Sequence, residues 1–244
     1  MQNDDKPVGR LLSRREVLGL LGASGAALVV GGALPRGRSR AHLPPGFPSC
    51  VVRPEQTQGP YFVDEMLHRS DIRSDPVTGA VSEGAPLQLE FQVSQIKDGS
   101  CGPLAGAQVD VWHCDATGVY SDVTDPSFNT VGKKFLRGYQ VTDAAGIARF
   151  NTVYPGWYRG RAVHIHFMIR SGPASGRRHE FVSQVYFDEA LNDRVYGSAP
   201  YMQGQRTRNS ADRIFQRGGT DLMLEVTEAA GRYSGVFRIG LDMG

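Results

Sequence analysis

His164-Ile165-His166 is a pair of imidazoles one residue apart, flanked three residues upstream by Arg161. In an extended strand residues i and i+2 share a face. Both rings would therefore point one way, while Ile165 and Phe167 point into a core. Imidazole suits several first-row metals, and two imidazoles on one face make half of a metal site. Taken alone, the pair reads first as two surface histidines with no ion between them. An arginine beside a metal pair makes sense where the site also handles negative charge. Tyr158 in Pro155-Gly156-Trp157-Tyr158 and Tyr120, at the end of Val111-Trp112-His113-Cys114-Asp115-Ala116-Thr117-Gly118-Val119-Tyr120, stand in motifs of their own. Taken singly, each is an ordinary buried tyrosine with a satisfied hydroxyl. His113 and Cys114 look like a second metal pair, but adjacent strand residues face opposite ways.

These residues need strands to hold them. Leu87, Leu89, Phe91 and Val93 alternate with Gln88, Glu90, Gln92 and Ser94, which predicts a half-buried strand over 87–96. A second strand is expected over 107–114, with Val109 and Val111 facing opposite to Asp110 and Trp112. Residues 122–131 are rich in turn formers and predict a loop. Strands at 138–142 and 147–153 flank Asp143-Ala144-Ala145-Gly146, a hairpin signal. Further strands are expected at 162–169, 181–187, 221–227 and 233–239, with Asp188 capping a short helix through Val195. Closely spaced strands with few helices predict a mainly β chain, a β-sandwich with short helices and long loops. Nothing in the composition divides 61–244 into two domains, and the polar, Pro/Gly-rich stretch before it predicts an extended arm over 42–60.

The chain has 244 residues, 40% apolar and 21% charged, enough for one sizeable core and too apolar for a disordered protein. Its net charge of +2 is unevenly spread: residues 1–41 hold seven Lys and Arg against three Asp and Glu, which leaves 42–244 at −2. The folded body therefore lacks the basic balance expected of a nucleic-acid binder. Within 1–41, Ser13-Arg14-Arg15-Glu16-Val17-Leu18 opens an uncharged, glycine-rich stretch that ends at Leu34. A basic segment followed by a weakly apolar one predicts an export signal of the twin-arginine type, removed near Ala41. A membrane anchor is the alternative, since the stretch just reaches the length of a span; with the signal removed, no stable span is expected. Export permits a disulfide, but Cys50, Cys101 and Cys114 allow three single pairings, or none.

The run Val109 to Tyr120, together with Pro155-Gly156-Trp157-Tyr158-Arg159-Gly160-Arg161-Ala162-Val163-His164-Ile165-His166, resembles the intradiol ring-cleavage dioxygenases, among them the catechol and protocatechuate 3,4-dioxygenases. Glu55-Gln56-Thr57-Gln58-Gly59-Pro60-Tyr61 and Ser183-Gln184-Val185-Tyr186-Phe187 are similar to segments of the same family, so the likeness spans about residues 50–240. It implies one non-heme Fe(III) per chain, held by Tyr120, Tyr158, His164 and His166. Phenolate is a hard anionic donor for a hard trivalent cation, and imidazole suits iron. It further implies that Tyr158 yields its place to substrate, that Arg161 stabilises developing negative charge, that Gln184 assists it, and that Tyr61 and Trp157 line the pocket. The implied reaction is cleavage of a catechol-type ring between its two hydroxyl carbons by O2, giving a cis,cis-muconate-type dicarboxylate.

The link from Tyr158 to Arg161 is shorter than the insertion carried there by the classical members, so the pocket wall and the substituted catechol are not inherited from them. The Thr142-Asp143, Gly146, Phe150 and Pro155-Gly156 pattern also recurs in non-catalytic transthyretin-like sandwiches and speaks for fold more than catalysis. Two rivals remain: an exported, non-catalytic β-sandwich binding module, and an Fe(II) extradiol enzyme. The second needs two His and a carboxylate, and no Asp or Glu accompanies His164 and His166 in the motif. Sandwich edges and the 42–60 arm are compatible with a homo-oligomer.

Overall fold

A computed structural model describes residues 50–171 and 179–243. The expected export signal and the first part of the arm, 42–49, lie outside the described residues. In chain order the strands are β1 (Pro86–Lys97), β2 (Ser100–Pro103), β3 (Gln108–Trp112), β4 (Thr124–Asp125), β5 (Phe128–Asn129), β6 (Arg137–Val141), β7 (Ile147–Val153), β8 (His164–Arg170), β9 (Glu180–Tyr186), β10 (Glu225–Ala229) and β11 (Arg232–Asp242). One helix, α1 (Glu189–Val195), follows β9, its first turn capped by Asp188, whose side chain accepts from the backbone N–H groups of Ala190 and Leu191. No helix among the described residues is long and apolar enough to cross a membrane.

The strands form a mainly β sandwich. In one sheet β1 pairs in parallel with β11 along one edge, and antiparallel with β7 and then β2 along the other; β10 extends the sheet beyond β11. The other sheet runs β6-β3-β8-β9, antiparallel throughout. The alternation read in β1 buries Leu87, Leu89, Phe91 and Val93. They meet the inward side chains of β8, Ile165, Phe167 and Ile169, in the main core. Phe167 lies 5.1 Å from Phe91 and 5.3 Å from Phe237 between ring centroids, which joins the two sheets. Each fully buried ring of this kind contributes about 1.5–3 kcal/mol.

Three local expectations are corrected. The Asp143–Gly146 turn closes as expected, with Gly146 N–H donating to the Asp143 carbonyl at 2.8 Å, but its arms are not a hairpin. β6 enters the β3 sheet and β7 the β1 sheet, so the turn crosses from one layer to the other. A turn signal reports a reversal of direction and carries nothing about which sheet each arm joins. The loop at 122–131 contains the β4–β5 ribbon. The strand expected over 221–227 starts at Glu225, because residues Gly219–Leu222 form a 3₁₀ turn that follows left-handed Gly218.

The described part of the arm is extended, as expected. Cys50 is disulfide-bonded to Cys101 on β2, and Cys114 is a buried free thiol, which settles the pairing left open above. Val51 accepts from Gly240 of β11 at 2.7 Å, and Gln56 N–H donates to Val182 of β9 at 3.0 Å. The described part of the arm thus runs from one sheet to the outer face of the other.

Candidate metal centre

The outer face of the β6-β3-β8-β9 sheet carries the site. Register aligns Arg137, Trp112, His166 and Gln184 in one row across all four strands, with His164 opposite Tyr186 in the next. Directly paired residues share a face, so this row is fixed once the inward face of β8 is buried. Trp112 stacks on His166, with centroids 5.1 Å apart and planes 6° from parallel.

Both tyrosines arrive on loops that are stitched to each other. Asp115 accepts from the backbone N–H groups of Thr117 (2.9 Å) and Val119 (3.0 Å), which shapes the turn leading to Tyr120. The Asp115 carbonyl accepts from Gly156 N–H at 3.1 Å, tying that turn to the segment before Tyr158. Gly118 sits at φ +85°, and a Cβ there would stand 2.4 Å from the Trp157 carbonyl oxygen, so the two loops touch through a glycine.

The four candidate ligands converge. His164 Nε2 lies 3.1 Å from His166 Nε2, 3.2 Å from Tyr158 Oη and 3.5 Å from Tyr120 Oη. Tyr120, His164 and His166 are sealed from solvent, at 0%, 2% and 1% exposure, and Tyr158 is half-buried. The Ala162 carbonyl accepts from His164 Nδ1 at 2.6 Å, which places the proton there and leaves the Nε2 lone pair facing the other three groups. Burial pushes both imidazoles well below their ordinary pKa; Arg161 adds to this at His164, and His164 followed by Arg161 at His166. They are neutral and able to ligate.

Burial pushes the Tyr120 phenol well above its ordinary value, and Tyr158 adds to it. A bound cation inverts that preference. Two phenols and a second imidazole crowd one nitrogen lone pair, which cannot satisfy them all. The donor set fits a trivalent iron, for which two anionic oxygens and two neutral nitrogens are a suitable shell. Among the described residues no three of His, Cys, Asp and Glu gather to hold a metal, so the two-His, one-carboxylate set of an extradiol enzyme is not formed by them. His113 is turned to other partners: its Nδ1 donates to the Cys114 carbonyl at 2.8 Å and its Nε2 accepts from Thr152 Oγ1 at 2.7 Å.

Arg161 and Gln184 meet beside the ligands. Arg161 Nη2 donates to Gln184 Oε1, and Gln184 Nε2 donates to the Thr57 carbonyl at 2.9 Å. Burial opposes the Arg161 charge, but Tyr158, Tyr186 and Asp212 outweigh it and hold the guanidinium above its ordinary pKa. Tyr61 stacks on Tyr120 at 4.5 Å, stands edge-on to Tyr158 at 6.2 Å, and donates to Asp125 Oδ2 at 2.8 Å. Trp157 is placed differently. Its indole N–H donates to the Met202 carbonyl at 3.0 Å and its ring rests against Gly204. There it lines a cleft of about 530 Å³ with Tyr196 and Arg206, one that none of the four ligands lines.

Sequence reasoning missed several supporting residues. Trp112 holds the His166 ring. Arg137 donates through Nε to Ser121 Oγ at 2.7 Å and through Nη2 to the Tyr61 carbonyl at 3.3 Å, joining the segments that carry Tyr120 and Tyr61. Tyr186 donates to Gln56 Oε1 at 2.6 Å, and Asp212 receives Arg161. Alternation in β3 placed Trp112 on the face opposite Val109 and Val111; its pairing with His166 appears only with the register.

A family model described as a dioxygenase matches residues 57–216. The chain is 31% identical to the protocatechuate 3,4-dioxygenase beta chain of Burkholderia cepacia over 156 residues, 60% of this chain and 63% of that one. It is 33% identical to a catechol 1,2-dioxygenase of Candida albicans over 141 residues, 48% of this chain and 43% of that one. The matches thus span less than two thirds of either curated relative. Among solved structures, an intradiol ring-cleavage dioxygenase from Tetranychus urticae superposes with a TM-score of 0.68 at 27% identity, covering 80% of this chain and 96% of that one. The dioxygenase domain of a carbohydrate-binding fusion from Streptomyces sp. SirexAA-E gives 0.56 at 26% identity, covering 78% and 98%.

Proposed function

Because the chain belongs to the intradiol ring-cleavage dioxygenase family, we propose that it cleaves a catechol-type ring between its two hydroxyl carbons with O2, giving a cis,cis-muconate-type dicarboxylate. The observation that carries this reading is the approach of Tyr158 Oη, Tyr120 Oη and His166 Nε2 to within 3.5 Å of one imidazole nitrogen. Tyr120, Tyr158, His164 and His166 would hold a single non-heme Fe(III). When bound, that ion would accept the two catechol oxygens and draw charge from the ring, opening a ring carbon to O2.

The chain's own residues do the rest. The Ala162 carbonyl keeps His164 in the tautomer that presents Nε2. Tyr158, the half-buried donor, is the one a substrate can reach, and its Oη as phenolate takes up one catechol proton when it gives way. Arg161, held in register by Gln184, faces negative charge developing on the substrate with a preorganised cation. Tyr61 walls the site on the Tyr120 side. Between Tyr158 and Arg161 the chain turns tightly, with Arg161 N–H donating to the Tyr158 carbonyl at 3.4 Å, so the pocket wall here is short. A twin-arginine-type signal over 1–41 would deliver the loaded protein outside the cytoplasm, where extracellular catechols are met.

Iron-loaded protein should consume O2 on addition of catechols and release a dicarboxylate that contains both oxygen atoms. A panel of substituted catechols that gives no uptake with any member would overturn the proposal and favour a binding module.

A further inference from the structure

We infer that Asp212 is a positioning residue for Arg161, holding the guanidinium in the one orientation in which it serves the ligand cluster. The inference rests on the enzymatic reading above and deepens it. Asp212 is 1% exposed, and its two oxygens are fully used. Oδ2 accepts from Arg161 Nε at 3.0 Å and from the backbone N–H of Ala162 at 2.8 Å. Oδ1 accepts from the backbone N–H groups of Ile214 at 2.7 Å and Phe215 at 3.3 Å. The carboxylate is therefore anchored in its own loop before it touches Arg161.

Guanidinium is a planar fork of five N–H donors. Asp212 takes Nε and Gln184 takes Nη2, which are neighbours on one edge of the plane. With that edge fixed, the ring of donors cannot rotate, and Nη1 is left buried with no hydrogen-bond partner among the described residues. A buried N–H with nothing to bind is costly, and such a group is preorganised for an anionic oxygen. The same Asp212 oxygen also holds Ala162, whose carbonyl fixes the His164 tautomer. One carboxylate thus orients the cation and the backbone that sets a ligand. Its negative charge also offsets the Arg161 charge, which would otherwise face a trivalent ion uncompensated. Asp212 lies 48 residues after His164 in the sequence, in no motif that would connect it with the ligands.

The test is a double-mutant cycle in the iron-loaded protein, with Asp212→Asn, Arg161→Gln and the pair, each assayed for kcat and KM with catechol and for iron content. Loss of a residue that orients a site's working groups typically costs 10–100-fold, so Asp212→Asn is expected to lower kcat by about that factor with KM changed less than about threefold. In the Arg161→Gln background the same change should cost clearly less, by at least about threefold, the remainder being the part that acts through Ala162 and His164. A merely structural carboxylate would cost the same factor in both backgrounds, and that result overturns the assignment, as does an unchanged kcat in Asp212→Asn. If Asp212→Asn does not fold, Asp212→Glu keeps the charge and displaces the guanidinium, and its loss must likewise shrink without Arg161; an equal loss in both backgrounds overturns the assignment. An inactive parent protein would instead overturn the enzymatic reading and this assignment with it.

Discussion

The two candidate tyrosine ligands are not equivalent. Tyr120 is sealed, stacked under Tyr61, and its carbonyl accepts from Thr130 Oγ1 at 2.6 Å; Tyr158 is half-buried at the end of a short turn. Their substitutions should therefore separate. Tyr158→Phe should keep the iron, shift the visible phenolate band and slow turnover by at least about tenfold. Tyr120→Phe removes a buried ligand and should cost iron retention first, read as metal content after dialysis. The buried His113 gives a prediction on stability. Burial pushes it down to about 4, only partly countered by its hydrogen bond to the Cys114 carbonyl. The unfolded chain takes up this proton near pH 6.5, so stability is complete above that value, falls as pH drops from about 6.5, and stops falling near pH 4. The full effect is about 3 kcal/mol. In denaturant titrations of metal-free protein, the gap between parent and His113→Gln should narrow from pH 7 to pH 5; a constant gap would remove His113 as the source.

At the scale of elements, the site depends on an arm and two loops laid over one sheet. The disulfide from Cys50 to Cys101 spans 51 residues and pins the start of the arm that later passes Gly59 against the His166 ring. Cys101→Ser should cost up to about 4 kcal/mol by loop entropy, measured as a lower denaturant midpoint, with a steeper slope because the unfolded chain is no longer cross-linked. Gly118→Ala should cost more than about 1 kcal/mol, because it needs a left-handed backbone and pushes on the Trp157 carbonyl, and it should also loosen iron; an unchanged midpoint would show that the two loops are not locked there. What was legible in the sequence follows from the range over which each signal acts. The β1 alternation and the shared face of His164 and His166 have period 2 and could be read from a few residues. The rows that bring Trp112 and Arg137 to His166 depend on register between strands far apart in sequence, and Asp212 reaches Arg161 from a loop without regular structure. The 143–146 turn was readable, but the sheet joined by each arm was not. Tyr120, Tyr158, Arg161 and Gln184 were assigned through the resemblance, since a tyrosine alone carries no sign of ligation.

For the molecule as a whole, most of the sandwich core lies apart from the candidate site. The main core fills the space between the sheets and reaches Ala162 and Tyr186, and a second, smaller cluster of Trp112, Cys114, Tyr120, Val123, Met168 and Val182 lies on the outer face with the candidate ligands. Loops can therefore change the pocket wall without disturbing the fold. The proposed chemistry requires that four side chains share one ferric ion. Titrating metal-free protein with Fe(III) and following visible absorption tests it directly. A wine-red band should grow in, saturate at one iron per chain and shift when catechol is added; full iron binding by a protein that stays colourless would show that the phenolates do not hold the iron.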